Sequence, residues 1–219
     1  DRKGGESVSW NDVIVGRPTI LDHWNFADGT TQDVITYTNA HSVELLVNGK
    51  SIGTKPNNTS DADKSKRNTI LWTGVPYGHG GSVEAIARDA DGRETARHRI
   101  ETAGQAAAIV IHPQGTAWTA DGMDLMYLDI TAVDSRGRTV PTFNEEMTVD
   151  ISGAASLVAM DNGDHYTDSL FNGVTTKPMK GGRMLLIMRS KREAGTVDVK
   201  VKAGKMSKRK TLKTLKKVL

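Results

Sequence analysis

The sequence predicts an all-β protein that consists of two tandem antiparallel β-sandwiches. Apolar and polar residues alternate with a period of two in most apolar segments, which is typical of strands with one covered face. Pairs such as Asn48-Gly49 and Asp91-Gly92 separate these segments and favour tight reversals of the chain. Apolar spacing typical of helices is nearly missing. Short strands at intervals of about 8 to 12 residues indicate sandwiches rather than a propeller or a parallel sheet.

Each predicted strand is rich in Val, Ile, Thr or aromatic residues and is bounded by turn signals. In "DVITYT", Val34 and Thr36 lie on one face, and Ile35 and Tyr37 lie on the other. The predicted strands span residues 33–38, 42–48, 68–75, 82–89, 95–102, 107–113, 124–134, 147–152, 183–190 and 196–203.

The segment "SVELLVNGKSIG" (42–53) predicts a hairpin. Val43, Leu45 and Val47 form one apolar face, and Leu46 contributes to the other. The pair Asn48-Gly49 suits a two-residue primed turn, whose twist matches that of the flanking strands.

A length of 219 residues allows two sandwiches of about 100 residues each. The small residues of "TAGQAAA" (102–108) provide the best break between them. We therefore predict an N-terminal linker at 1–16, a first sandwich at 17–103 and a second at 104–219 with a basic C-terminal tail. Because Cys is absent, no disulfide or thiolate metal site can stabilise either sandwich.

The formal charge of +3 comes from the end of the chain. Residues 205–219 hold seven Lys or Arg and no acid, so the remainder is acidic. Nucleic-acid binding is not expected, because aromatic residues do not alternate with the basic ones. Lys residues along a terminal strand also protect a sheet edge from pairing with other chains. "TLKTLKKVL" (211–219) fits either a helix or a last strand that ends near Leu215.

Several motifs resemble the C-terminal β-sandwich domains of bacterial family 2 glycoside hydrolases of the β-galactosidase type. The motifs are "DHWNF" (22–26), "VITYTNAHSVELLVNGKSIG" (34–53), "ILWTGVPY" (70–77), "GSVEAIARDADGRE" (81–94), "DGMDLMYLDITAVDSRGRTVPTFN" (121–144), "GAASLVAMDNGD" (153–164) and "GGRMLLIMRS" (181–190). The resemblance covers roughly residues 17 to 204. It implies an immunoglobulin-like fold for the sandwiches.

The resemblance also implies that this chain is an accessory part of a larger periplasmic or extracellular bacterial enzyme. Chemistry in that family takes place in a (β/α)8 barrel of about 250 residues, for which this chain has neither the length nor the helices. We therefore expect no catalytic residue, no cofactor and no metal. The expected partner is the catalytic barrel of the same polypeptide. No apolar run approaches the roughly 18 to 20 residues of a membrane-spanning helix, so membrane insertion is not expected.

Acidic clusters at 161–168 and 89–92 offer oxygen atoms of the kind that Ca²⁺ prefers, although neither has the full spacing of a calcium loop. The favoured interpretation is that these Asp and Asn side chains accept hydrogen bonds from nearby backbone amides in turns.

Sugar recognition would use exposed aromatic rings flanked by polar groups. The candidates for contact with a β-galactoside glycan or with the barrel are His23, Trp24, Trp118 and Tyr166. Packing in a core is nevertheless the favoured interpretation of Trp24, and Trp72 is expected in a core. Two other functions stay open: a carbohydrate-binding module and the stalk of a surface adhesin. An accessory role predicts an apolar surface patch near Trp24 or the N-terminal segment.

Overall fold

The computed structural model describes residues 20–164 and 167–216, and within them fourteen strands form. The strands are β1 (Thr31–Tyr37), β2 (Ser42–Val47), β3 (Lys50–Pro56), β4 (Thr69–Pro76), β5 (Ser82–Arg88), β6 (Glu94–Glu101), β7 (Ala108–Pro113), β8 (Leu125–Val133), β9 (Glu146–Gly153), β10 (Ala155–Asp161), β11 (Thr176–Pro178), β12 (Arg183–Ser190), β13 (Thr196–Ala203) and β14 (Met206–Lys213). One 3-10 turn spans Lys64–Lys66. No helix in the described part of the chain is both long and apolar enough to cross a membrane.

The first sandwich has unequal layers. Strands β1 and β4 form a two-stranded sheet, which faces a four-stranded sheet of order β3-β2-β5-β6. All pairs are antiparallel. The core between the layers is rich in aromatic residues and contains Trp24, Val43, Leu45, Ile70, Trp72, Val75, Tyr77 and Val83.

The predicted hairpin is confirmed. Asn48 and Gly49 both have positive φ, as a primed two-residue turn requires. Val43 and Leu45 are buried in the core, and the register shifts once, between Leu45 and Leu46. The Asn48 side chain accepts a hydrogen bond from Ser82 N at 2.8 Å, which ties the turn to the start of β5.

The second sandwich has two layers of four strands, in the orders β10-β12-β8-β7 and β11-β9-β13-β14. Alternate residues of each long strand enter one closed core, as the period of two predicted. Six buried Met side chains fill it together with Leu, Ile and Val: Met126, Met147, Met160, Met179, Met184 and Met188.

The all-β, antiparallel sandwich prediction is confirmed, and β1–β6 pair separately from β7–β14. The boundary at 103/104 stays a prediction. Strands β10 and β11 were not among the predicted strands. The C-terminal alternative is decided for the residues described: β14 is an edge strand, and Leu215 continues as a single bridge to Thr119. Lys208 and Lys210 lie opposite the core residues Val201 and Val199, so they add charge to the inner side of this edge.

Candidate functional site

The "DHWNF" segment is fixed against the chain that connects β6 to β7. Asn25 forms two hydrogen bonds with Ala103: its Nδ2 donates to the carbonyl oxygen at 2.8 Å, and its Oδ1 accepts from the amide at 2.9 Å. The Thr102 hydroxyl donates to the carbonyl oxygen of Trp24. This segment therefore has a defined position at the end of the first sandwich.

Trp24 is a core residue. Its side chain is only 3% exposed, and its ring meets Phe26 and Tyr77 edge to face, at 5.5 Å between centroids in both cases. Core packing, the favoured interpretation of Trp24, is therefore confirmed, and the ring keeps little surface for contact with a sugar. Trp72 is buried as predicted.

His23 lies at the border between this core and solvent. Its Nδ1 accepts a hydrogen bond from Asn25 N at 3.2 Å, and its ring lies 5.1 Å from that of Phe26. Burial lowers the pKa of His23, and the negative charge of Asp22 opposes this shift in part. Both the hydrogen bond and the pKa shift favour the neutral imidazole. Its predicted contact with a sugar or a barrel stays a prediction.

An apolar groove of about 460 Å³ opens beside His23. It is lined by Ile20, Leu21, His23, Trp24, Phe26, Gln32, Asp33, Val34, Ile35, Leu71, Val83 and Ile100. Ile20, Leu21 and Leu71 are 64%, 50% and 49% exposed, which is unusual for three neighbouring aliphatic side chains. The apolar patch predicted near Trp24 is therefore present.

The groove follows from the unequal layers of the first sandwich. Val83 on β5 and Ile100 on β6 belong to the four-stranded sheet, and both line the groove. They can do so because the opposite layer has only two strands, β1 and β4, to cover that sheet. Ile35 and Leu71 pair across β1 and β4, on the face opposite to Val34 and Trp72. The groove thus joins the inner and outer surfaces of the smaller sheet.

A buried ion pair ties the second sandwich to the connecting segment. Arg138 Nε donates to Asp134 Oδ2 at 2.8 Å, and Gly104 N donates to the same oxygen at 2.9 Å. Arg138 also lies 3.9 Å from a carboxylate oxygen of Glu101 on β6. The pKa of Asp134 lies well below its usual range. The main cause is the hydrogen bond from the Arg138 side chain, and the second is the hydrogen bond from the Gly104 amide.

The remaining sugar-contact candidates do not join the groove. Trp118 is 1% exposed in the second core, and its Nε1 donates to the carbonyl oxygen of Asp124 at 3.0 Å, so its prediction as a contact ring is wrong. Tyr166 lies outside the described residues. Of the four candidates, only His23 is both described and accessible.

The turn interpretation of the acidic clusters is confirmed for three side chains. Asp161 Oδ1 accepts from Gly163 N at 2.8 Å, and Asn162 Oδ1 accepts from Asp164 N at 3.1 Å. Asp89 Oδ1 accepts from the amides of Asp91 and Arg93. Asp164 forms an ion pair with Lys180. Over residues 20–164 and 167–216, no group of three or more His, Cys, Asp or Glu side chains is arranged to hold a metal ion.

Sequence reasoning placed the patch near Trp24 but missed the residues that build it. Ile20 and Leu21 precede the first strand and have no periodic context. Leu71 stands between two buried residues, which is the normal place of a solvent-exposed residue in a strand. Only the large apolar side chain at that exposed place signalled a partner.

Comparisons with known proteins agree with the fold. Residues 109–211 match the model of the glycoside hydrolase family 2 C-terminal domain 5, and residues 29–96 match a domain of unknown function (DUF4982). The chain is 31% identical over 169 residues to the β-galactosidase BoGH2A of Bacteroides ovatus, which covers 77% of this chain and 19% of that protein. It is 30% identical over 189 residues to a β-glucuronidase of Formosa agariphila, covering 84% of this chain and 18% of that protein.

A solved structure of a glycosyl hydrolase family 2 member from Bacteroides cellulosilyticus superposes with a TM-score of 0.82 at 30% identity, covering 92% of this chain and 25% of that one. The chain thus spans about a fifth of the length of the two curated relatives. Both sandwiches lie within these matches. The chain therefore belongs to glycoside hydrolase family 2, as part of the C-terminal region of that family.

Proposed function

We propose that this chain is a non-catalytic accessory region of a β-galactosidase-like family 2 glycoside hydrolase, and that its apolar groove packs against the catalytic barrel of the same polypeptide. The enzyme would act on β-galactosides in the periplasm or outside the cell. The docked sandwiches would stabilise the barrel and shape access to its active site.

The exposure of Ile20, Leu21 and Leu71 around the groove is the observation that carries this proposal. Water contact with such a cluster is unfavourable, and a folded partner would relieve it. The much greater length of the matched relatives supports a partner within the same polypeptide.

The carboxyl groups whose pKa is shifted are unlike a catalytic acid. A glycosidase of this type needs two carboxyls about 5 to 5.5 Å apart, one of which is kept protonated by a raised pKa. In this chain Arg88 lowers the pKa of Glu44, Arg97 lowers that of Glu94, and Arg209 lowers that of Asp198. These shifts keep the carboxylates ionised, which is the opposite of what a general acid requires.

The test compares Leu71→Asp with Thr73→Asp in the full-length protein and in the isolated chain. Leu71 and Thr73 are both exposed and lie on the same face of β4, but only Leu71 lines the groove. A carboxylate in a covered groove loses its hydration, so Leu71→Asp should destabilise the full-length protein by about 2 to 4 kcal/mol in chemical denaturation. The isolated chain should change little, and Thr73→Asp should have little effect in either protein.

Equal effects of the two substitutions in the full-length protein would refute the docking groove. The isolated chain should also leave a chromogenic β-galactoside intact, whereas turnover by it would refute the non-catalytic role.

A further inference from the structure

A second cavity, of about 470 Å³, is lined by residues of both sandwiches. The first sandwich contributes the turn between β2 and β3, the start of β5 and the end of β6, and the second contributes the segment between β8 and β9. The charged lining residues are Arg99 and Glu101 on β6 and Arg136 and Arg138 of the second sandwich. We name this cavity the arginine cleft. It shares no lining residue with the apolar groove.

The arginine cleft holds more positive than negative charge. Its lining contains three Arg and one Glu. Even with the buried Asp134, which pairs with Arg138, the Arg residues outnumber the carboxylates. The chain outside residues 205–219 is acidic, so this excess is not a general property of its surface. A positive excess in a concave site attracts anions, because the surrounding protein of low dielectric constant focuses the field.

The guanidinium groups keep N–H donors that are free for a ligand. The Arg136 side chain forms no hydrogen bond or ion pair with a described residue. Arg138 directs Nε and Nη2 to Asp134, whereas its Nη1 lies 3.9 Å from Glu101 Oε2, too far for a hydrogen bond. Arg99 donates through Nη2 to Glu101 at 2.8 Å. Planar guanidinium groups match the paired oxygen atoms of a carboxylate or sulfate group.

The backbone that carries these side chains is held in place. Asp134 Oδ1 accepts hydrogen bonds from the amides of Arg136 and Arg138 at 2.9 and 3.0 Å, and its Oδ2 accepts one from the segment that connects the sandwiches. On the opposite wall, Thr102 N donates to the carbonyl oxygen of Gly81 at 2.8 Å. A preformed site loses less conformational freedom when a ligand binds.

The remaining walls of the arginine cleft are polar and open. Gly49 has no side chain, and a Cβ at this position would have no heavy atom within 4 Å, so the space beside the turn is free. The other uncharged side chains of the lining belong to Asn48, Ser82 and Thr102. Such a lining offers no ring for stacking on a neutral sugar, whereas the volume lies within the range of about 300 to 1,000 Å³ that is usual for small-molecule sites.

We propose that the arginine cleft binds an oxyanion, a carboxylate or sulfate group, which is either carried by a small acidic saccharide or present as a free ion. Arg136 and Arg138 bind it from one sandwich and Arg99 from the other, so the bound anion connects the two. Glu101 opposes binding by repulsion and by its pairing with Arg99. The site is independent of the proposed docking groove, because the two cavities have no residue in common.

Calorimetric titration of this chain tests the site with three probes at matched ionic strength: sulfate, galacturonate and galactose. Galacturonate carries a carboxylate where galactose carries a hydroxymethyl group, so their comparison isolates the charge. Arg136→Gln removes an exposed guanidinium, and Glu101→Gln removes the negative charge of the lining. The matched control is Arg189→Gln, a change at an exposed Arg on β12 that lies outside the cleft and also has no described partner. Urea denaturation verifies that each variant is folded.

We expect both anions to bind and galactose not to bind. Arg136→Gln should weaken anion binding about fivefold, because one nearby positive charge is lost. Glu101→Gln should strengthen it about threefold, because the neutral side chain no longer repels the anion. Arg189→Gln should leave the affinity unchanged.

The two anions distinguish the source of the oxyanion. Tighter binding of galacturonate than of sulfate assigns it to a saccharide, and equal or weaker binding of galacturonate assigns it to a free ion; both results support the site. Binding of galactose as tight as that of galacturonate overturns the inference, because the charge is then not recognised. Equal weakening by Arg136→Gln and Arg189→Gln overturns it too, because the attraction is then diffuse. Failure of both anions to bind overturns it outright, and the docking groove is untouched by any of these results.

Discussion

The two sandwiches solve the burial of apolar residues differently. The first uses a layer of two strands over a layer of four, and a few large aromatic side chains fill the space between them. The second uses two layers of four strands, and flexible Met side chains fill the gaps between its aliphatic residues. The first core is open at the groove, whereas the second is closed.

This difference bears on where the first sandwich would meet the partner that we propose. Beside the open core Ile20 and Leu21 are exposed, and Leu71 is exposed on the outer face of β4. This is the surface that we propose a partner covers. The second core is enclosed between two layers of four strands and needs no such cover.

The largest expected effect comes from removing one large aromatic side chain from each core. Trp118→Ala should cost about 3 to 5 kcal/mol of unfolding free energy in urea, because the closed core leaves a cavity. Trp24→Ala should cost less, because the adjoining groove lets the site relax or admit water. An equal or larger loss at Trp24 would contradict the distinction between an open and a closed core.

Glycine substitutions test the same contrast at the backbone. A Cβ at Gly182, in the second sandwich, would collide with the carbonyl oxygen of Val140, whereas one at Gly81, in the first, would meet the end of the Asn48 side chain. Both residues have positive φ. We expect Gly182→Ala to cost about 3 kcal/mol and Gly81→Ala about 1 to 2 kcal/mol, since a side chain can move more easily than the backbone. Thermal and urea denaturation of both variants measures these losses of stability. A larger loss for Gly81→Ala than for Gly182→Ala would contradict the expectation.

The smallest expected effect is a dependence on pH in the first sandwich. The folded state lowers the pKa of His23, so between the ordinary value of about 6.5 and the folded value the unfolded chain binds more protons. Stability should therefore be lost as the pH falls through this window. His23→Gln should reduce that loss relative to His98→Gln, a change at an exposed position on β6. Urea denaturation at pH 7.5 and 5.5 measures the change in unfolding free energy between the two pH values. The same change in both variants would exclude His23 as the cause.

Strand alternation and turn pairs made much of the fold predictable. Val43 and Leu45 were correctly assigned to a buried face, and Asn48-Gly49 to the turn beside them. Strand β10 was missed because "ASLVAMD" lacks strict alternation, and the register shift between Leu157 and Ala159 explains why. Strand β11 was missed because three residues carry no periodic signal.

The candidate site was predictable only in its location. The sequence drew attention to the DHW motif, but it could not separate a buried indole from an exposed one, because both Trp24 and Trp118 have plausible surface contexts. Whether a ring is covered depends on distant residues such as Tyr77, which lies more than fifty positions along the chain from Trp24.

The order of apolar residues and turns by itself determined that this protein is built from antiparallel sheets, because those signals act over a few neighbouring positions. Only the tertiary structure decided that one sandwich is open at a groove and the other closed. Those properties depend on which strands become neighbours across the layers, and long-range packing sets that arrangement.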